Sequence, residues 1–135
     1  MSRKKTRELV VQFLFLLQMR KEDYTGLMED FFEQNPMQEE DKEFFRENIE
    51  GTVKNLDRID GLISGKLKNW TIDRIPGVDL AVLRNAVYEI MYRDDIPVKV
   101  SINEAVELAK KYSDEESGVF VNGILGNLVR EHNMQ

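Results

Sequence analysis

The sequence predicts an all-α protein, a bundle of about six or seven helices arranged as two three-helix subdomains. Three observations carry this. Apolar residues recur at spacings of three and four along nearly the whole chain. Strand-like alternation is confined to a brief stretch around residues 96–102. Only three prolines and eight glycines interrupt 135 residues. That length suits one domain. An N-terminal helical half is expected at about residues 1–67, a connection at about 68–77 and a C-terminal helical half at about 78–132.

Each element has its own signal. Residues 9–19 are apolar except for Gln12 and Gln18, which predicts a buried, central first helix. Leu27, Met28, Phe31 and Phe32 suit a short second helix, ended by Asn35-Pro36. Phe45, Ile49, Val53, Leu56, Ile59, Ile63 and Leu67 step by three or four and predict one long third helix, with Gly51 as a place for a kink or a close contact. Pro76-Gly77 punctuates the connection, and Trp70 within it is read as a core or hinge residue. Leu80, Leu83, Val87, Ile90 and Met91 form a fourth helix ahead of Pro97. Ser101 and Glu104 match a capping box that opens a fifth. After the polar stretch SDEES, a last helix is expected over about residues 117–130, with Gly123 and Gly126 inviting close backbone approach.

Composition excludes much chemistry. There is no cysteine and one histidine, His132, so thiolate metal sites, disulfides and cysteine nucleophiles are ruled out for these residues. A Ser-His-Asp triad is disfavoured, and no phosphate-loop, dinucleotide, zincin or nucleophile-elbow pattern occurs. No catalytic residue, cofactor or metal site is expected. No apolar run is long enough to span a bilayer. The basic start and apolar residues 9–17 are not followed by a small-residue cleavage site, so a cytoplasmic protein is expected. Asp94-Asp95 and Glu115-Glu116 read as solvated helix caps, and Glu39, Glu40 and Asp41 as charges favoured at a helix N-terminus.

The net charge of −6 is segregated. Residues 22–50 hold 11 acidic and 2 basic residues, a net of −9, which leaves +3 for the remainder. Arg3, Lys4, Lys5 and Arg7 open the chain. At a helix N-terminus such cations repel one another and oppose the macrodipole, an arrangement that a polyanion relieves and a frayed, solvated terminus tolerates. Phe13 reads as core. Phe15 follows on a helix with too much apolar surface to bury, and cations beside exposed aromatics are the usual equipment for holding single-stranded RNA. Lys54 and Arg58 lie one helical turn apart and read first as a solvated face, with extension of the basic surface as the alternative; with Lys99 they mark where an RNA surface is sought if the arm is only a solvated terminus.

The stretch VDLAVLRNAVYEIMYR at residues 78–93, the Ile96-Pro97 pair and INEAVELAKKYSDEESGVFVNGIL at residues 102–125 resemble the bacterial transcription antitermination family NusB, as do the basic opening, Arg7-Glu8 and Gln12. The resemblance implies a fold of two three-helix subdomains and no enzymatic activity. It implies binding to boxA-type RNA of ribosomal RNA leader transcripts, together with NusE, a ribosomal small-subunit protein, within an RNA polymerase antitermination complex. Carried over by position, it assigns RNA contact to Arg3, Lys4, Lys5, Arg7, Glu116 and Phe120, and partner-protein contact to Phe15 and Asp79. Lysine stands where the family often has arginine, which keeps phosphate attraction and loses the bidentate fork. The same fold also opens some RNA cytosine methyltransferases, whose catalytic cysteine has no counterpart here. The alternative reading is a helical protein–protein adaptor or homodimer in which the basic arm is incidental.

Overall fold

The computed structural model describes residues 1–20, 23–68 and 71–134. Among these, seven α-helices and one 3-10 turn account for all regular structure: α1 Arg3–Met19, α2 Tyr24–Gln34, α3 Glu39–Lys54, α4 Leu56–Ser64, the turn Ile72–Arg74, α5 Gly77–Tyr92, α6 Val98–Tyr112 and α7 Glu115–Glu131. The all-helical class follows from the sequence pattern. Trp70 lies outside the described residues.

Local chemistry fixes the helix ends. The Ser2 hydroxyl accepts from the Lys5 amide at 3.1 Å and starts α1. The Asp23 carboxylate does the same for α2 through the Thr25 amide, and Asp114 for α7 through the Ser117 amide at 2.8 Å. That cap starts α7 two residues earlier than the apolar pattern suggests. The long third helix is in fact two. It breaks at Asn55, not Gly51, because the Asn55 amide side chain donates to the Gly51 carbonyl at 2.8 Å and α4 begins at the next residue. Nor does a capping box open α6. Pro97 fixes its start, so Ser101 lies a turn inside, buried, with its hydroxyl given to Glu89 at 2.7 Å. Glu104, the other half of that box, faces Lys4.

The central helix is α5, not α1. It packs against α1, α3, α4, α6 and α7. Residues 79–90 of α5 are all buried except Arg84, which forks onto Asp60 at 2.8 and 2.9 Å. Helix α1 buries residues 6–11, 13 and 14, and opens outward from Phe15. One continuous core runs through both halves. On the N-terminal side it is aromatic, with Phe13, Phe31, Phe32 and Phe45 at ring-centroid separations of 5.2–5.4 Å.

A polar knot lies inside this core. The Glu89 carboxylate on α5 is fully buried and accepts from Arg7 Nε of α1 at 2.8 Å, Asn48 of α3 at 3.0 Å, Asn85 at 3.1 Å and Ser101 of α6 at 2.7 Å. A buried carboxylate is tolerable only when so satisfied. Glu89→Ala leaves four donors short of their acceptor, including a buried guanidinium. It is expected to lower stability by about 3–5 kcal/mol, read from urea unfolding.

Two glycines separate packing from propensity. A Cβ on Gly51 would overlap the buried Tyr88 ring, whereas one on Gly61 in α4 would meet no described atom within 4 Å. Gly51→Ala is therefore expected to cost about 1–3 kcal/mol by overpacking. Gly61→Ala is expected to raise stability by up to about 1 kcal/mol. Thermal melts of the two variants give shifts of opposite sign.

Candidate nucleic-acid and partner interface

The Ser2 cap sets the first turn of α1 so that Arg3, Lys4 and Lys5 are all exposed. The Arg3 guanidinium carbon lies 4.0 Å from the centroid of the Phe44 ring, a cation–π contact that holds the side chain against α3. Lys4 pairs with Glu104 at 3.3 Å and Lys5 with Glu8 at 3.5 Å. Arg7 does not belong to this surface. It is 3% exposed and is spent on Glu89. The expected four-cation arm is a three-cation arm plus one structural arginine.

Between this arm and α6 runs a cleft of about 290 Å³, with Lys4, Lys5, Glu8, Glu104, Glu107 and Lys111 along its walls. Long polar side chains bridge the two helices across and beside it. Lys4 reaches Glu104, Lys111 reaches Glu8 at 2.7 Å, and Gln12 donates to the Tyr112 hydroxyl at 2.9 Å. Tyr112 also donates to Glu8. Burial pushes the Glu8 carboxyl up, but the hydrogen bonds from Lys111 and Tyr112 and the charges of Lys5 and Lys111 outweigh it and hold the group below its ordinary value. The partners that Glu8, Glu104, Lys111 and Tyr112 find across this cleft stand about a hundred positions away, so the bridging role has no local signal in the sequence.

The other end of α1 makes an apolar cleft of about 250 Å³, lined by Val11, Gln12, Phe15, Val78 and Tyr112. Phe15 is half-buried and lies so close to the start of α5 that a Cβ on Gly77 would come within 2.8 Å of its ring. Asp79 is in the first turn of α5 on the same side, but it is not an exposed charge. At 2% exposure, it accepts from Ser117 at 3.0 Å and from Ser113 at 3.5 Å, and so ties α5 to the α6–α7 junction. Asp79 directly follows Val78, which lines the Phe15 cleft, but its own carboxylate lies beneath the surface on Ser113 and Ser117.

Glu116 is exposed in the first turn of α7, and half-buried Phe120 follows one turn later on the same face. The described residues that line the cleft at Phe120 include none of those around Lys4 and Lys5. Lys54 and Lys99 are exposed. Arg58 is exposed too, and its guanidinium donates to the Tyr92 hydroxyl at 2.9 Å. Among the described residues, no group of three or more potential ligands is placed to hold a metal, and no helix is long and apolar enough to cross a membrane.

Comparison with known proteins adds to this geometry. A sequence profile described as "NusB family" matches residues 4–130. The transcription antitermination protein NusB of Acetivibrio thermocellus is 45% identical over 130 residues, covering 96% of this chain and 90% of its own. That of Methylacidiphilum infernorum is 44% identical over 131 residues, covering 96% and 92%. The solved structure of T. maritima NusB superposes with a TM-score of 0.90 at 40% identity, covering 97% of this chain and 92% of that one. A structure of antitermination factors NusB and NusE in complex with dsRNA contains a chain with a TM-score of 0.87 at 28% identity, with 96% of each chain covered.

Asp79 gives a pH signature. Burial raises its carboxyl above the ordinary value, against the lowering by Ser117 and Ser113. The folded state therefore holds this proton more tightly than the unfolded chain. Its contribution to stability falls as pH rises from about 4 through the folded value. Asp79→Asn removes that fall, so the variant is expected to gain on the parent between about pH 4 and pH 7 in urea midpoints measured at both.

Proposed function

The chain belongs to the NusB family, and we propose that it is an RNA-binding transcription antitermination factor. It binds boxA-type single-stranded RNA of ribosomal RNA leader transcripts together with NusE and promotes read-through by RNA polymerase, in the cytoplasm. It is a binding protein rather than an enzyme. The observation that carries the reading is the exposed Arg3, Lys4 and Lys5 on the first turn of α1, where the helix dipole and mutual repulsion both disfavour cations. A phosphate backbone supplies counter-charge beyond the exposed rim pairs that Lys4 makes with Glu104 and Lys5 with Glu8.

Membership supports a division of labour along α1. Its N-terminal turn meets RNA, and Glu116 and Phe120 on α7 extend that contact. The apolar cleft of Phe15 and Val78 receives NusE. Asp79 supports the partner surface from below by holding Ser113 and Ser117, so its effect on NusE is one of positioning.

The salt dependence of RNA binding tests the arm. Three phosphate contacts to single-stranded RNA give a log–log slope of about −2.1. Changing Lys4 and Lys5 together to alanine is expected to make the slope shallower by about 1.4 at unchanged melting temperature. Arg7→Ala is expected to lower the melting temperature and leave the slope of the folded protein unaltered. Fluorescence anisotropy over a potassium chloride series reads the slopes, and an unchanged slope in the double variant overturns the assignment.

A further inference from the structure

We infer that Tyr112 and Glu8 are positioning residues that couple the partner cleft to the basic arm, so that filling the cleft releases Lys5 for a phosphate. The inference rests on the RNA-binding and partner readings and assigns the residues that connect them.

The two clefts beside α1 meet at a hydrogen bond. Tyr112 lines the apolar cleft with Val11, Phe15 and Val78, and Glu8 lines the cleft of Lys4 and Lys5. The Tyr112 hydroxyl accepts from Gln12 at 2.9 Å and donates to Glu8 Oε2. A phenol has one proton, and here that proton is committed to Glu8. Burial and the bond to Glu8 push the phenol above its ordinary value, outweighing the Gln12 bond, and keep the proton in place at neutral pH. Glu8 stands on α1 one turn after Lys5 and one turn before Gln12. Lys111 shares Oε2 at 2.7 Å, and Lys5 meets Oε1 at 3.5 Å. Glu8 is 6% exposed, so its carboxylate answers to these groups more than to water. A continuous relay, Tyr112 to Glu8 to Lys5, therefore runs from a wall of the partner cleft to the arm.

The sign of the coupling follows from the chemistry of the cleft. Val11, Phe15 and Val78 are apolar walls, so the group that seats against them is apolar and brings no acceptor for the Tyr112 hydroxyl. It does take water off the Tyr112 ring, which is 40% exposed in the free chain. A hydrogen bond to a carboxylate strengthens as water leaves. The Glu8 charge is then held more firmly at Oε2, at the expense of the long contact between Oε1 and the exposed Lys5. Lys5 comes free for a phosphate. Linkage makes the effect reciprocal: RNA that takes Lys5 leaves Glu8 to Tyr112 and firms the wall on which the partner packs.

Tyr112→Phe keeps the ring and removes only the hydroxyl. Fluorescence anisotropy with labelled single-stranded boxA-type RNA reads the affinity of the full chain with and without NusE. NusE is added to saturation for each variant, so that a change in its own affinity drops out. The ratio of the two RNA affinities measures the coupling. It is expected to fall about two- to fivefold in Tyr112→Phe, a scale capped by what an exposed ion pair such as Lys5–Glu8 carries. Because the relay ends on Lys5, the same substitution made in Lys5→Ala is expected to change the ratio no further. A Tyr112 that serves the fold alone would lower the ratio equally in both backgrounds. That result, or an unaltered ratio in Tyr112→Phe, overturns the relay and leaves the RNA reading standing. If the parent chain binds RNA but not NusE, the partner reading falls and the relay with it. If it binds no RNA even at low salt and with NusE present, the RNA reading falls as well.

Discussion

Glu89 is the residue on which the rest of the molecule depends. Its carboxylate has no access to water and draws donors from α1, α3, α5 and α6 onto two oxygen atoms. Hydrophobic burial fixes these contacts by shape, as at Gly51 against Tyr88, but apolar side chains of similar volume interchange without directional demand. A buried carboxylate has directional demand. Any register that removes one donor leaves a charge under-satisfied in a medium that penalises it severely. Asn48 extends the knot outward, accepting from Arg93 at 2.9 Å, and Arg93 in turn forks onto Asp95. The polar network thus passes from the centre of the core to the start of α6, and joins the N-terminal and C-terminal halves by the same set of bonds.

This constraint shapes the surface as well. Arg7 is drawn inward, which fixes the rotation of α1 about its axis. With that rotation set, Lys4 and Lys5 come out at the rim of the α1–α6 cleft, Arg3 comes out against Phe44 of α3, and Phe15 comes out further along beside Gly77. The ends of α1 proposed to face RNA and the partner protein are therefore two ends of one helix. The cations of the arm are not idle in the free protein. Lys4 and Lys5 pair with Glu104 and Glu8, and such pairs at the rim are weak enough for a phosphate to displace.

Much of this was legible in the sequence. The three-and-four spacing placed every helix, and joined α3 and α4 only because apolar residues keep the same period across Asn55. Phe13, read as core, meets Phe31 and Phe45 at the centre of the N-terminal half. What failed has a common cause. Lys4, Lys5 and Arg7 look alike as a local run, and only Glu89, 82 positions from Arg7, distinguishes them. Ser101 and Glu104 satisfy a capping pattern that Pro97 pre-empts and Glu89 diverts. Asp79 resembles an ordinary first-turn acid until Ser113 and Ser117 close over it. In each case a polar side chain has a local role open to it and takes a distant one, because burial makes the distant bond worth more than the same bond at the surface.

The net negative charge is compatible with RNA binding because charge acts locally in salt. Much of the acidic stretch is spent near at hand: Glu39, Glu40 and Asp41 sit at the N-terminus of α3, Glu39 also pairs with Lys42 and Arg46, and Glu47 meets Arg93. At physiological ionic strength the screening length is about 8 Å, so a phosphate at the α1 arm feels Arg3, Lys4 and Lys5 far more than a carboxylate on α2. The acidic face then acts at longer range, as a bias on orientation: a polyanion that approaches from the α2 side is repelled, and one that approaches from the α1–α6 rim is not. A few cations suffice for the contact, and the surrounding negative charge confines it to one edge of the bundle, where a second protein can add its own surface to the same strand.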